Sequence, residues 1–464
     1  MNKAARLVFI PFPGTGHLVS TIEFANLLVE RHHHIWITVL LIKLPPHTTA
    51  PDYTDSLNSQ RIHLINIPEI SFNSQPIPMK DILQLQKPYV KEAVANLPPT
   101  PPLAAFVLDM FSTTMIDVAD EFHVPSLVYF TSGLAFLGLT LHLHTLKEEE
   151  NAEFTVSDAE FVTPSFDKPL PAPNLPSIAL SKEWEPMFLA FGRGLKKAHG
   201  IIVNSFEELE SHAAHYLLNG PQPIYPVGPI LNSKPNGHAL NTHIFDWLDQ
   251  QPPSSVVFLC FGSMGSFGED QVREIARALE NSGARFLWSL RKPPPKGSAF
   301  TVPPSDYDPS DLPSILPAGF LDRTAGIGKV IGWAPQAQVL AHPATVGFVS
   351  HCGWNSTLES IHFGVPIATW PLYAEQQTNA FSLVHELDIA CEISLDYRVE
   401  FKDGSAPLLS AEKIEKGIRN VVEMDEERRR RVMEISEKSR KTLLEGGSSH
   451  SSLGRLIHYI MDQV

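Results

Sequence analysis

The stretch Trp333–Gln376, WAPQAQVLAHPATVGFVSHCGWNSTLESIHFGVPIATWPLYAEQ, decides how the rest of the chain is read. Its apolar run Val346-Gly-Phe-Val349 has the length and composition of a strand buried on both faces, as in a parallel sheet. The run ends in Ser350-His351-Cys352-Gly353-Trp354-Asn355-Ser356, and an amphipathic turn, Leu358-Glu359-Ser360-Ile361, follows. Strand, glycine turn and helix start make an anion site, because the first N–H groups of a helix have no internal partner and carry its positive dipole end. Asn355 and Ser356 stand where side-chain donors reinforce those amides. Glu359, one turn beyond Asn355, can accept two hydrogen bonds from a vicinal diol such as a ribose. Trp333 offers a flat face for a base. The stretch contains no Lys or Arg, so a diphosphate there is held by backbone amides, hydroxyl and amide side chains and His351.

Outward from this block, the length of 464 residues is too great for one core and suits two domains. A hydrophobic share of 43% with 19% charged residues describes a globular chain and not a disordered one. The net charge of −15 argues against nucleic acid or an anionic membrane as partner, since both attract basic patches. Three widely spaced cysteines, Cys260, Cys352 and Cys391, fit no metal-ligand pattern and read as small buried residues in a reducing compartment. The N-terminal apolar run is broken at Pro11 and Pro13, so no signal peptide is expected, and no run of about 18 apolar residues exists to cross a bilayer. A cytoplasmic monomer without membrane insertion is expected.

The N-terminal half alternates strand and helix. Strand Leu7–Ile10 leads through Pro13-Gly-Thr-Gly-His17 into a helix with Leu18, Ile22, Ala25 and Val29 on one face, and strand Ile35–Ile42 completes a βαβ unit. Val19 stands where a dinucleotide fingerprint needs its third glycine, so that reading fails. Strands Ile62–Ile67, Ala104–Asp109, Ser126–Thr131 and Ile201–Asn204 then alternate with helices Met79–Ala95, Thr113–Phe122, Leu134–Glu148 and Trp184–Lys197. The Pro- and Ser-rich segment 156–181 reads as a long pocket-shaping loop, and Ser205 as the N-cap of a helix opening at Ser205-Phe-Glu-Glu208. Residues 232–252 read as a linker. A second alternation follows, with strand Val256–Phe261, helix Asp270–Asn281, strand Arg285–Leu290, a proline-rich excursion Pro293–Pro317, and helices Ala411–Met424 and Glu426–Leu444. The resulting fold class is α/β, with residues 1–240 and 253–445 as domains and a helix in 446–464 crossing back to the first.

The block Trp333–Gln376 as a whole resembles the donor-binding signature of plant family 1 UDP-dependent glycosyltransferases. Trp333, the His-Cys-Gly-Trp-Asn-Ser run 351–356, Glu359 and the terminal Glu375-Gln376 carry the resemblance. An ordinary βα unit with a capped helix would explain the fold but not Trp333, Glu359 and Gln376 together. The resemblance implies two doubly wound Rossmann-like domains facing a cleft, the GT-B arrangement, with no cofactor and no metal beyond the UDP-glucose donor. It also implies roles. Trp333 would stack on the uracil, Ala334 would also belong to the donor site, Gln336 and Glu359 would bond the ribose, and Ser263, His351, Asn355 and Ser356 the phosphates. Thr131, Trp354, Glu375 and Gln376 would contact the sugar, with Gln376 favouring glucose.

His17, after the first strand, and Asp109, ending a later one, can reach one spot on the cleft side. An imidazole with a carboxylate on its other nitrogen is held in one tautomer and made more basic. By the resemblance His17 is the general base and Asp109 its support, in an inverting O-glucosyl transfer to a hydroxyl of an apolar plant metabolite, a flavonoid or other phenolic before a triterpenoid. Phe111, Phe188 and Phe191 are expected to line the acceptor pocket. The alternative is a UDP-sugar-binding sensor or scaffold without turnover. Asp306-Tyr-Asp308 is formally a metal-binding D-x-D but lies in a Pro/Ser-rich loop and reads as solvated. Phe261 replaces the first glycine that a hydrolase nucleophile elbow, here around Ser263, would need. The run Arg428–Arg431 reads as a solvated helix face.

Overall fold

A computed structural model describes residues 4–43, 59–70, 79–157, 160–232, 242–295, 302–400 and 404–464. Part of the segment expected to be a linker, 233–241, and part of the proline-rich excursion, 296–301, lie outside the described residues.

Two parallel sheets organise the chain. The first takes β1 (Ala5–Ile10), β2 (Ile35–Leu41), β3 (Ile62–Asn66), β4 (Leu103–Asp109) and β5 (Ser126–Phe130). A two-stranded ribbon of β6 (Glu160–Phe161) and β7 (Leu170–Pro171) sits apart, and β8 (Gly200–Val203) and β9 (Ile224–Pro226) complete the sheet. Its order is β3-β2-β1-β4-β5-β8-β9. The second half contributes β10 (Val256–Cys260), β11 (Arg285–Ser289), the short antiparallel pair β12 (Arg291–Lys292) and β13 (Ser305–Asp306), β14 (Gly328–Ile331), β15 (Thr345–Ser350), β16 (Ile367–Thr369) and β17 (Ala390–Glu392). Its sheet order is β14-β11-β10-β15-β16-β17. The central strands β1, β10 and β15 are buried along their whole length because helices cover both faces, which is why they are written as unbroken apolar runs.

In each sheet the winding reverses once, between β1 and β4 and between β10 and β15. The loops after neighbouring strands diverge at that point and leave a crevice beyond their C-terminal ends, where doubly wound sheets take ligands.

Local sequence accounts for the helices nearest these crevices. Helix Glu269–Ser282 buries Val272, Ile275, Ala276 and Leu279 along one stripe and stops at Gly283, whose φ of 63° suits a residue without a Cβ. Other boundaries differ from the sequence expectation. No helix opens at Ser205: the helix is Ser211–Leu218, and residues 205–210 form turns in which the Ser205 hydroxyl donates to Glu210. The presumed linker contains helix Thr242–Leu248, whose Ile244 and Leu248 are buried in the core of the second sheet. The Arg428–Arg431 run is not simply solvated. Arg428 and Arg431 pair with Asp388, and Arg429 donates to the Val422 carbonyl at 2.7 Å, closing the end of helix Ala411–Val422.

The last helix, Ser448–Met461, packs Leu453, Leu456, Ile457 and Ile460 into the core of the first sheet beside Leu7, Phe9 and Val227. Ser449 Oγ donates to the Gly228 carbonyl at 2.6 Å and fixes its start. Burying such side chains contributes about 2 kcal/mol each, so the chain end fastens the second half to the opposite sheet.

Candidate active site

Between the two crevices lies a cavity of about 610 Å³, within the usual range for small-molecule sites of roughly 300–1,000 Å³. It is lined from the first sheet by His17 and Thr131 and from the second by Ser263, Trp333, Ala334, Gln336, His351, Trp354, Asn355, Ser356, Glu359 and Glu375.

His17 belongs to the first turn of helix Thr15–Arg31 rather than to the loop before it. Its Nδ1 lies 2.8 Å from Asp109 Oδ2, and the other carboxylate oxygen accepts the Phe111 backbone N–H at 2.9 Å. Asp109 is 1% exposed, so this carboxylate is aimed by two partners out of water. Thr131 Oγ1 stands 3.0 Å from the same His17 nitrogen. With the Nδ1 proton shared there, Nε2 is the nitrogen left for other work. Burial alone would lower the imidazole pKa, but the charge of Asp109, its hydrogen bond and the charge of Glu375 together outweigh burial and raise it.

The rings of Phe12 and Phe111 flank His17 at centroid distances of 5.3 and 5.4 Å. Phe191 is 4% exposed and supports Phe111 from behind at 5.5 Å. Phe188 is fully buried in the core under helix Leu134–Glu150, which corrects its assignment to an acceptor pocket: a residue with no exposed surface packs the domain and touches no ligand. Phe12, which the sequence reading passed over, packs edge-on against both His17 and Phe111.

On the other side, the first intrahelical bond of helix Trp354–Phe363 runs from Thr357 N–H to the Gly353 carbonyl, which leaves the N–H groups of residues 354–356 free at the helix start. Gly262, with φ of 74°, and Gly353 bring backbone against the His351 ring; a Cβ on either would come within 2.5 Å of Nε2. His351 is buried without a charged neighbour, and burial lowers its pKa to about 4, so it faces the cavity as a neutral N–H donor. Its buried Nδ1 has no protein partner. Gln336 Nε2 donates to Ser356 Oγ at 2.9 Å and to Glu359 Oε2 at 2.8 Å, so hydroxyl, amide and carboxylate form one prearranged set. Burial raises Glu359 to about 7, with the Gln336 bond opposing.

Three assigned residues hold the site together, and two of them, Trp354 and Asn355, also line the cavity. Trp354 Nε1 donates to the Asn204 carbonyl of the first domain at 2.7 Å, and Asn355 Nδ2 donates to the Gly16 carbonyl at 3.0 Å, next to His17. Gln376 is buried, and its Oε1 accepts the Leu372 and Tyr373 N–H groups at 2.8 and 3.1 Å. Cys352 and Ala374 hold positive φ values of 61° and 59° immediately before these segments, strain of a kind that persists where surrounding structure fixes it.

Sequence reasoning missed Glu210. Its buried carboxylate accepts the Leu134 and Ala135 N–H groups at 2.7 and 2.9 Å and so caps the helix that follows the Thr131 loop. It also missed Asp306, read as solvated, whose Oδ1 accepts the Trp333 N–H at 2.9 Å. Neither had a local signal, since each partner lies far away in sequence. Among the described residues no group of three or more His, Cys, Asp or Glu side chains could hold a metal ion. No described helix is long and apolar enough to cross a membrane.

Two facing doubly wound domains, with a carboxylate-backed imidazole on one wall and a neutral anion cradle on the other, define a nucleotide-sugar-dependent glycosyltransferase of the GT-B type. Comparison with known proteins names the family. The family model described as "UDP-glucoronosyl and UDP-glucosyl transferase" matches residues 208–420. UDP-glycosyltransferase 71A15 of Malus domestica is 53% identical, over 99% of this chain and 100% of its own. UDP-glucose flavonoid 3-O-glucosyltransferase 6 of Fragaria ananassa is 52% identical, over 99% of each. The crystal structure of Medicago truncatula UGT71G1 complexed with UDP-glucose superposes with a TM-score of 0.87 at 38% identity, covering 99% of both chains. The chain belongs to the plant UDP-glycosyltransferase family and is a transferase.

Proposed function

We propose that the chain is an inverting O-glucosyltransferase that moves glucose from UDP-glucose to a hydroxyl of an apolar plant metabolite, a flavonoid or related phenolic first. The observation that carries this reading is the His17–Asp109 contact of 2.8 Å at the edge of a cavity whose far wall is the neutral cradle.

His17 Nε2 takes the proton of the acceptor hydroxyl as its oxygen attacks the anomeric carbon. Asp109 holds the tautomer and stabilises the imidazolium that forms. The glycosidic bond to UDP breaks on the opposite face, so an α-linked donor gives a β-glycoside. Charge developing on the leaving diphosphate is met by the free amides of residues 354–356, the Ser263 hydroxyl and the neutral His351 N–H, donors already oriented before the reaction. No metal ion has a step in this scheme. The Glu359 carboxylate and Gln336 receive the ribose, Trp333 and Ala334 the uracil, and Thr131, Trp354, Glu375 and Gln376 the sugar. Phe12 and Phe111 flank the base with apolar surface suited to a flat aromatic acceptor. The Fragaria relative, named for flavonoid 3-O-glucosyl transfer, supports that class.

The test is UDP release from UDP-glucose against a panel of flavonols, simple phenols and triterpenoids, with the anomeric configuration of the product read by proton NMR. Release with a phenol and a β-glycosidic product are expected. UDP binding without acceptor-dependent release, or an α-glycoside, would sink the proposal. Gln376→His should lower the preference for UDP-glucose over UDP-galactose by about ten-fold, the worth of one charge-assisted or well-aligned hydrogen bond. An unchanged preference would remove Gln376 from the sugar.

A further inference from the structure

Trp333 is 39% exposed at the cleft, and what keeps so exposed a ring in place is the ribbon of β12 and β13, in which Arg291 pairs with Asp306. The Arg291 guanidinium carbon sits 5.0 Å from the Trp333 ring centroid, against one face. Its Nε lies 2.9 Å from Asp306 Oδ1, the same oxygen that accepts the Trp333 N–H. From the other side Ser289 Oγ donates to the Gly332 carbonyl at 2.8 Å, so the peptide before the ring is gripped at both ends. A Cβ at residue 332 would come within 2.4 Å of the Asp306 carboxylate. Asp306 therefore reaches the next N–H because residue 332 is glycine.

Arg291 is the one Lys or Arg among the described residues lining the cavity, yet its contacts are not those of a phosphate ligand. Its Nε also reaches the Ser305 carbonyl at 3.3 Å, one Nη bonds the Pro304 carbonyl, and its side chain is only 11% exposed. A planar cation against one π face is attracted by the ring quadrupole and leaves the opposite face for a base. Holding that ring before the ligand arrives removes an ordering cost from binding.

We infer that Arg291 and Asp306 are positioning residues of the donor site, locking Trp333 as a preformed stacking platform for the nucleobase. The inference rests on the reading of this cavity as the UDP-sugar site. It explains what the proline-rich excursion achieves: the chain leaves after β12 and returns at β13 to bring a carboxylate to the backbone of the platform residue.

The experiment is steady-state kinetics and UDP titration on the full chain, with quenching of Trp333 fluorescence read as the difference from Trp333→Ala. Arg291→Ala should raise KM for UDP-glucose and Kd for UDP by about ten-fold, with kcat and the acceptor KM within two-fold. Arg291→Lys, a cation without the planar fork, should recover part of the affinity, and Asp306→Asn should lose about three-fold. In the Trp333→Ala background Arg291→Ala should add nothing, since the residue acts through the ring. The same loss in both backgrounds would overturn the inference and make Arg291 a direct ligand of the nucleotide. UDP binding unaffected by Arg291→Ala and Asp306→Asn would also overturn it while leaving the donor site standing. A wild-type chain that fails to bind UDP would instead remove the reading on which it rests.

Discussion

In both halves the domain's first strand, β1 or β10, lies mid-sheet beside the strand at which the winding turns back, β4 or β15, and a helix N-terminus points into the crevice between them. Each half puts a histidine there. His17 has Asp109 at 2.8 Å, and its pKa is raised despite burial; His351 has no carboxylate against it, and burial takes it down to about 4. One architecture thus yields an imidazole of raised pKa in one wall and an uncharged one in the other. The deciding element is one aspartate at the end of β4, where the corresponding strand end of the second sheet is Ser350.

The harshest way to break this contrast is to remove the proposed base. His17→Ala should lower kcat/KM by about 10²–10⁴-fold, the range for a general base, and leave the Kd of UDP within two-fold, because no described contact of His17 is with the cradle. A large loss of UDP affinity would make His17 part of the donor site. The pH profile sharpens the point. In the proposed mechanism the neutral imidazole is the active form, so a raised pKa places the acidic limb of kcat/KM above the ordinary histidine value of about 6.5. Asp109→Asn removes the attraction that raises the pKa and leaves the lowering by burial, so the limb should move to lower pH while the plateau falls. A limb that stays in place would detach Asp109 from the base.

The cradle should respond to pH in its own way. Burial pushes the Glu359 carboxyl up to about 7. Two ribose hydroxyls donating to its carboxylate favour the charged form, so UDP binding should release a proton and grow tighter as pH rises from about 6 to 8. Glu359→Gln should weaken UDP by about 10–100-fold, the cost of hydrogen bonds to a charged acceptor, and flatten that slope. Isothermal titration at three pH values in two buffers of different ionisation enthalpy measures both. A slope retained in the variant would assign the proton to another group.

Much of this contrast was legible beforehand, for reasons that can be named. The central strands announce themselves because strands buried on both faces must be apolar throughout, and the cradle because its donors sit within one contiguous stretch whose spacing is that of a helix start. His17 and Asp109 were reachable because both lie where strands of one sheet end. Glu210 and Asp306 were not, since each works on backbone N–H groups brought near only by the fold, 76 residues away for Leu134 and 27 for Trp333. Helix Thr242–Leu248 was hidden by proline and glutamine at its border, and its two buried side chains, Ile244 and Leu248, give too short a pattern to read. Phe188 was misplaced for a related reason: an aromatic side chain in a sequence declares bulk but not which face of its helix meets a cavity.

The mildest of these tests bears on how the two walls are kept in register. Trp354 sits at the head of the cradle helix, yet its indole N–H is spent on the Asn204 carbonyl of the other domain, 2.7 Å away. Its ring lies so close to Gly133 that a Cβ there would stand 2.7 Å from it. Trp354→Phe keeps most of the ring and removes that bond, at a cost of about 1 kcal/mol, or roughly five-fold in an equilibrium. If the tie sets the spacing between base and donor, kcat/KM for UDP-glucose should fall by about that factor with UDP affinity in water little changed, because the cradle itself is intact. A drop confined to UDP affinity would show instead that the indole serves the donor alone. In that case the register of the walls would fall to Asn355 and Gly16, whose 3.0 Å contact joins the helix of the cradle directly to the helix of the base.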